Sequence, residues 1–115
     1  MLAFLLQCGS VFAADPPDAG MAAASAAIAS AERAQPRGPA ADVLSLSRDK
    51  IAQAQDAMAR KKYRDAAQLA DEARAIADLA LANAQLVNAQ NGFDERSARN
   101  ADLRRQLLVQ PEGQQ

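Results

Sequence analysis

The sequence predicts an all-α fold: an antiparallel helical hairpin with a long last helix, plus a short N-terminal helix that makes a small three-helix bundle. Three segments carry apolar residues at helical steps of three and four, which is the pattern of one buried helix face. Two short links, at residues 35–39 and 60–63, separate these segments. Alanine occupies most of the contact positions, and it has the highest helix propensity of any residue.

Residues 15–39 are predicted to form the N-terminal helix and a Pro/Gly linker. Prolines at 16 and 17 give a rigid lead-in, and Asp18 after them is a candidate N-cap. The helix over residues 20–34 places Met21, Ala24, Ile28 and Ala31 on one face. It either docks as a third helix or remains a low-complexity tether, because short isolated helices are marginal in water. Pro39 suits the first turn of the next helix.

Residues 40–110 are predicted to form the hairpin and its extended C-terminal helix, with the chain reversing at residues 60–63. The stripe before the turn is apolar except for one serine, and it consists of Ala40, Leu44, Ser47, Ile51, Ala54 and Met58. Those after it are Ala66, Leu69, Ala70, Ala73, Ile76, Ala77, Ala80, Ala84 and Val87. Two stripes joined by a short link pack antiparallel.

This turn sets an alanine beside a larger residue at nearly every level of the hairpin. The residues assigned to this packing are Leu44, Ile51, Met58, Tyr63, Leu69, Ala73, Ile76 and Ala80. Small side chains let two helices approach at the close end of the usual ~8–10 Å range. Burying alanine removes little apolar area, however, so we expect a third helix or a partner to complete the hairpin.

The helical pattern of the last helix continues past the hairpin to about Val109. Gly92 is its weak point, because glycine inside a helix costs up to ~1 kcal/mol relative to alanine. Residues 111–115, with Pro111 and Gly113, are predicted to be a disordered tail. If unbroken, the last helix has ~45 residues and extends well beyond its shorter partner.

A second apolar row lies on the opposite side of this long helix. It contains Ala75, Leu79, Ala82, Leu86 and Phe93. In one interpretation the first helix, or the back of a bundle, covers its upper part. In the other, a short coiled coil with a protein partner or a second copy uses Leu79, Leu86, Phe93, Leu103 and Leu107.

Residues 1–14 differ from the rest of the chain, because they are apolar and uncharged and contain the only cysteine. They predict a signal peptide that is too short to span a bilayer. Cleavage after Ala13 gives a soluble periplasmic chain, whereas a lipobox-like Leu5-Leu6-Gln7-Cys8 gives an outer-membrane lipoprotein lipidated at Cys8. Only the second form contacts a membrane. The missing basic segment predicts a true start further upstream.

The composition excludes most catalytic chemistry. The chain has no histidine and one cysteine, which removes histidine-based triads, Cys-His nucleophiles and zinc sites. Acidic and basic residues alternate, with a net charge of −1, and this argues against nucleic acid as a partner. We therefore expect no catalytic residue, no metal, no cofactor and no enzyme activity.

Three stretches resemble a bacterial family of domains of unknown function, number forty-three ninety-eight. They are LSRDKIAQA at 46–54, KYRDAAQLA at 62–70 and ARAIADLA at 73–80. Members of that family look like exported, alanine-rich helical hairpins, are often lipoproteins and sometimes precede an OmpA-like domain. The resemblance covers residues 20–90 and implies a hairpin without catalytic residues.

The function that these observations predict is that of a non-enzymatic, exported helical hairpin of the bacterial cell envelope. It would act as a structural spacer or a protein-interaction module. One alternative is a tetratricopeptide-like adaptor that binds a peptide, since the turn sequence at Tyr63 is similar to one helix pair of that repeat. The other is a small-molecule carrier of the periplasm, which would need a pocket.

Overall fold

The computed structural model describes residues 15–109, and this part of the chain contains three helices. They are α1 (Asp18–Arg33), α2 (Pro39–Ala59) and α3 (Tyr63–Val109). The expectations for the signal peptide, for Cys8 and for the tail at 111–115 lie outside the described residues.

The three helices form a small bundle at one end of α3. Helix α2 runs antiparallel to α3, and α1 contacts both, more extensively α3 than α2. Ala24 of α1 packs with Ala54 and Ala73, and Ile28 packs with Leu44 and Ala80. The prediction of an all-α hairpin with a third docked helix and a long last helix is thus confirmed.

Alanine fills the centre of the bundle. The buried apolar residues are Ala24, Ile28, Ala31, Ala40, Leu44, Ala54, Ala57, Ala66, Ala70, Ala73, Ala77, Ala80 and Ala84. Larger side chains such as Ile51, Leu69 and Leu81 line the edges of this core and are half-buried. Helices whose facing residues end at Cβ can approach closely, and this close packing makes the bundle thin.

A hydrogen bond across the hairpin shows how close α2 and α3 lie. The Ser47 hydroxyl, which is fully buried, donates to the Ala73 carbonyl oxygen at 2.6 Å. A serine side chain extends one atom past Cβ, so it reaches the partner backbone only where the two helices nearly touch. The hydrogen bond also removes the cost of burying an unpaired hydroxyl.

The hairpin turn ends α2 with a Schellman motif. The Lys62 amide donates to the Ala57 carbonyl oxygen at 2.9 Å, and the Lys61 amide donates to that of Met58 at 3.0 Å. Lys61 has φ of 59°, in the left-handed region that favours glycine. The turn therefore forms around a residue type that is not the preferred one for its conformation.

The link between α1 and α2 also contains left-handed residues. Gln35 has φ of 50°, and its amide donates to the Glu32 carbonyl oxygen at 3.0 Å. Gly38 has φ of 58° and ψ of −133°, a conformation that essentially only glycine adopts. Pro39 then opens α2, as its missing N–H allows.

Two local predictions were wrong. Asp18 is not the N-cap of α1: the cap is Pro17, without a side-chain hydrogen bond, and Asp18 lies in the first turn. Its carboxylate can still interact favourably with the helix dipole there. Val87 was assigned to the buried stripe but is 43% exposed, because α1 and α2 do not reach its level on α3.

Ion pairs connect all three helices along the edges of the bundle. Arg48 of α2 contacts Glu32 of α1 at 2.7 Å, and Lys50 of α2 contacts Glu72 of α3 at 2.8 Å. Hydrogen bonds from Lys50, and then from Gln68, hold the pKa of the Glu72 carboxyl below its ordinary value. The contact with Lys50 is therefore present at neutral pH and is lost only in acid, as the pH falls through the lowered pKa.

Candidate interaction surface

Helix α3 continues far beyond the helices that cover it. It has 47 residues without interruption at Gly92 and is about 70 Å long at 1.5 Å per residue. Ala84 is its last buried residue. We call residues 85–109, about 37 Å of helix, the free half of α3. Every residue in it is exposed except the half-buried Gly92.

The residues predicted to form a partner seam all lie on exposed helix. Their exposed fractions are 53% for Leu79, 58% for Leu86, 70% for Phe93, 54% for Leu103 and 66% for Leu107. Of the two interpretations of this row, coverage by the first helix was wrong. Leu86 is nine residues, or two and a half turns, from the buried Ala77, which places the two on opposite sides of α3. Helix α1 docks on the side of Ala77 and Leu81.

The residues assigned to hairpin packing lie in or beside the α2–α3 interface. Leu44, Ala73 and Ala80 are buried, whereas Ile51, Met58, Tyr63, Leu69 and Ile76 are half-buried. The small residues thus occupy the centre of the interface, and most of the large ones lie at its margin. Ala57, which was not in the predicted stripe, is buried in place of the neighbouring Met58.

The exposed row follows a heptad repeat that includes more residues than the predicted partner seam. Positions 79, 86, 93, 100 and 107 are seven residues apart and hold Leu, Leu, Phe, Asn and Leu. A second set of positions lies three residues after the first four of the first set. It holds Ala82, Ala89, Arg96 and Leu103. This alternation of three and four is the a and d pattern of a coiled coil. Asn100 and Arg96 were missed because only apolar residues were counted. We call these nine residues the outer seam.

Polar contacts within the free half do little to stabilise it on its own. Arg99 lies 3.9 Å from Glu95, and Arg105 lies 3.7 Å from Asp102, all highly exposed. Such pairs contribute only ~0.2–0.5 kcal/mol each to an isolated helix. In proteins most of the stability of a helix comes from tertiary packing, so the free half is the part of α3 whose stability would rise most on binding a partner.

Three clefts of the described region are open to solvent and lined mainly by polar and small side chains. One of about 320 Å³ lies where α3 leaves the bundle. It is lined by Ala34, Gln35, Arg37, Ala84, Val87, Asn88, Asn91, Gly92 and Glu95. Asn88 donates to the Ala34 carbonyl oxygen at 3.3 Å and so ties the end of α1 to α3. This cleft is therefore the place where the link joins the bundle.

Three further properties of residues 15–109 bear on chemistry and membrane insertion. No group of three or more potential metal ligands occurs there. Buried side-chain nitrogen and oxygen atoms in that region all have hydrogen-bond partners. No helix within it is both long enough and apolar enough to cross a bilayer.

Comparison with known proteins gives one family match. The model of a family described as Domain of unknown function (DUF4398) matches residues 19–96. That range begins in the first turn of α1, includes the rest of the bundle and ends at Arg96 within the free half. No curated protein and no solved structure matches the chain significantly.

Proposed function

The chain belongs to the DUF4398 family, and for this member we propose a non-enzymatic role as a protein-interaction module of the bacterial cell envelope. In this role the three-helix bundle is a rigid base. The binding surface is the outer seam, which begins on the outer side of the bundle and continues along the free half of α3.

The observation that carries the proposal is the exposure of large apolar residues in one row along a helix face that no other described helix covers. Leu86, Phe93 and Leu107 are all more than half exposed. Contiguous exposed apolar surface commonly marks a protein-interaction site, whereas single exposed apolar residues do not. An amphipathic helix face that recognises another helix has this heptad spacing.

The proposal that the chain is not an enzyme rests on the chemistry of its side chains. Histidine is absent from the sequence, and the only cysteine is in the leader. Neighbouring carboxylates such as Asp94 and Glu95 lie on exposed helix, where no apolar pocket could raise a pKa for acid–base catalysis. A carrier role is less well supported, because small-molecule sites are enclosed and mostly apolar.

The periplasm is the proposed location, with an outer-membrane lipoprotein as the alternative. The proposal rests on the apolar, uncharged leader that precedes Asp15. Mass spectrometry of the mature protein from its native host distinguishes three forms: a chain starting near Ala14, a chain starting at lipidated Cys8 and an uncleaved chain. The uncleaved form would contradict an envelope location.

Site-specific photo-cross-linking in the native host tests the interaction module. A photoreactive residue replacing Phe93 is expected to give a discrete protein adduct, either with a second copy or with another protein. The matched control replaces Arg64, which is exposed on the bundle and off the outer seam, and it should give none. No adduct at Phe93, Leu86 or Leu103, or equal adducts at Arg64, would overturn the proposal.

A further inference from the structure

We infer that the partner of the outer seam is a second copy of this chain, bound antiparallel with its two-fold axis between Asp94 and Glu95. The inference rests on the proposed interaction module and deepens it by naming the occupant and the register. In this arrangement residue i of the outer seam in one copy faces residue 189 − i of the outer seam in the other.

The heptad positions of the outer seam match one another in this register. In an antiparallel pair, an a residue of one helix faces a d residue of the other. Leu86 then faces Leu103 of the second copy, and Leu107 faces Ala82. Ala89 faces Asn100, the one uncharged polar residue of the outer seam. Because alanine is small, the Asn100 amide has room for a water molecule. Leu86 and Leu107 thus meet a leucine and a small residue respectively, and Phe93 meets Arg96.

The position of Arg96 favours this register over the alternatives. Here Arg96 of each copy lies over the ring of Phe93 of the other, where a guanidinium and an aromatic face attract each other. A parallel pair would instead place the two Arg96 side chains side by side in one layer, and it would bring Arg99 near Arg104. Like charges held this close are destabilising.

The neighbouring antiparallel register is less favourable for a similar reason. The residues just before each a position flank the seam, and across the pair their numbers add to two more than those of facing seam residues. Shifting the pair by one heptad, so that seam residue i faces 196 − i, makes these flanking numbers add to 198 and puts Arg99 next to Arg99 of the second copy at the two-fold axis. In the favoured register the flanking numbers add to 191, so Arg99 lies opposite Gly92, and Gln85 lies opposite Gln106. That register leaves no pair of like charges at the positions flanking the seam.

The bundles do not obstruct this pairing. The outer seam lies on the side of α3 opposite the buried Ala77, so α1 and α2 leave it clear even at Leu79 and Ala82. The end of the second copy can therefore run along the outer surface of the bundle. The net charge of −1 adds little long-range repulsion between copies.

Sedimentation equilibrium of the full chain carrying Cys8→Ser tests the association. We expect a reversible dimer, and Leu103→Asp should weaken it by about a hundredfold or more, since each dimer buries that leucine twice. The matched control is Leu108→Asp, because Leu108 is 79% exposed and lies off the outer seam. It should leave the dissociation constant within about threefold. Both sites lie beyond the bundle, so neither variant should unfold it.

A single spin label at Gln106→Cys in the same Cys8→Ser background reports the register. The favoured register places the two labels about 35 Å apart along the axis at 1.5 Å per residue. The shifted antiparallel register gives about 24 Å, and a parallel pair gives a separation of about 10–15 Å, both of which would overturn the register.

The outcomes also separate this inference from the proposed function. A strict monomer at high concentration, or equal weakening by Leu103→Asp and Leu108→Asp, would overturn self-association. If Phe93 nevertheless cross-links to a different protein in the host, the interaction module stands with another partner. If the chain is a strict monomer and no adduct forms at Phe93, Leu86 or Leu103, both proposals fail.

Discussion

Single alanine methyl groups set the distances between the helices of this protein, and Ala73 is the clearest case. It is fully buried beside Ala24, Ala54 and Ala70, and its carbonyl oxygen accepts the hydrogen bond from Ser47. Three helices meet at this point, with no atom beyond Cβ on most of the residues that face one another. Because protein interiors are close-packed, no space remains there for additional carbon atoms.

Ala73→Leu is expected to destabilise the bundle by about 1–3 kcal/mol, because the larger side chain must push α1 and α2 away. For a domain of this size, that lowers the melting temperature by roughly 5–20 °C. Asp71→Ala is the matched control two residues away on an exposed position, and it should change little. Circular dichroism melts measure both. Similar melting temperatures for the two variants would mean that the buried face of α3 is not the one described.

At the scale of the helices, the turn at residues 60–62 depends on a strained residue. Lys61 holds the left-handed position of the Schellman motif, which glycine occupies without a steric penalty. Lys61→Gly should therefore stabilise the hairpin by about 0.5–1 kcal/mol. Lys62→Gly adds the same chain flexibility where no positive φ is needed, so it should be neutral or destabilising. Denaturant unfolding measures both, and a loss of stability in Lys61→Gly would contradict the turn geometry.

The sequence predicted where the helices lie better than it predicted how they are capped and which of their faces are buried. Steps of three and four located all three helices, since alanine favours helix locally and also suits close packing. The capping role assigned to Asp18 failed because Pro17 already occupies the cap position. The left-handed turn at Lys61 has no signal, since neither glycine nor asparagine is present there. Periodicity also could not decide which side of α3 would receive α1, because leucines lie on both sides, at Leu79 and Leu81.

For the candidate site, the sequence predicted the apolar members of the outer seam but not their surroundings. Leu79, Leu86 and Phe93 stand out from their spacing alone. Their exposure depends on where α1 docks, which is a tertiary choice among several alanine-rich faces. Arg96 and Asn100 became informative only once that exposure was known, because a polar residue in an unburied row has no distinctive meaning by itself.

At the scale of the whole molecule, the chain divides into a bundle that is held by packing and a free half of α3 that touches the bundle only near its start. The bundle contains all the buried residues and both interhelical ion pairs of the described region. Asn88 is the last residue on α3 with a hydrogen bond back to the bundle, to the carbonyl oxygen of Ala34. Folding of the bundle should therefore depend little on the helix beyond that residue.

Ending the chain after Gln90 tests this division, because it removes most of the outer seam but keeps Asn88. In dilute solution the truncated chain should melt within a few degrees of the full chain, while losing roughly a quarter of the helical signal. Dimerisation stabilises only the associated form, so the melting temperature of the full chain should rise between about 1 and 100 μM, and that of the truncated chain should not. A truncated chain that is unfolded at room temperature would mean that the free half stabilises the bundle. A concentration dependence that survives truncation would place the association on the bundle itself.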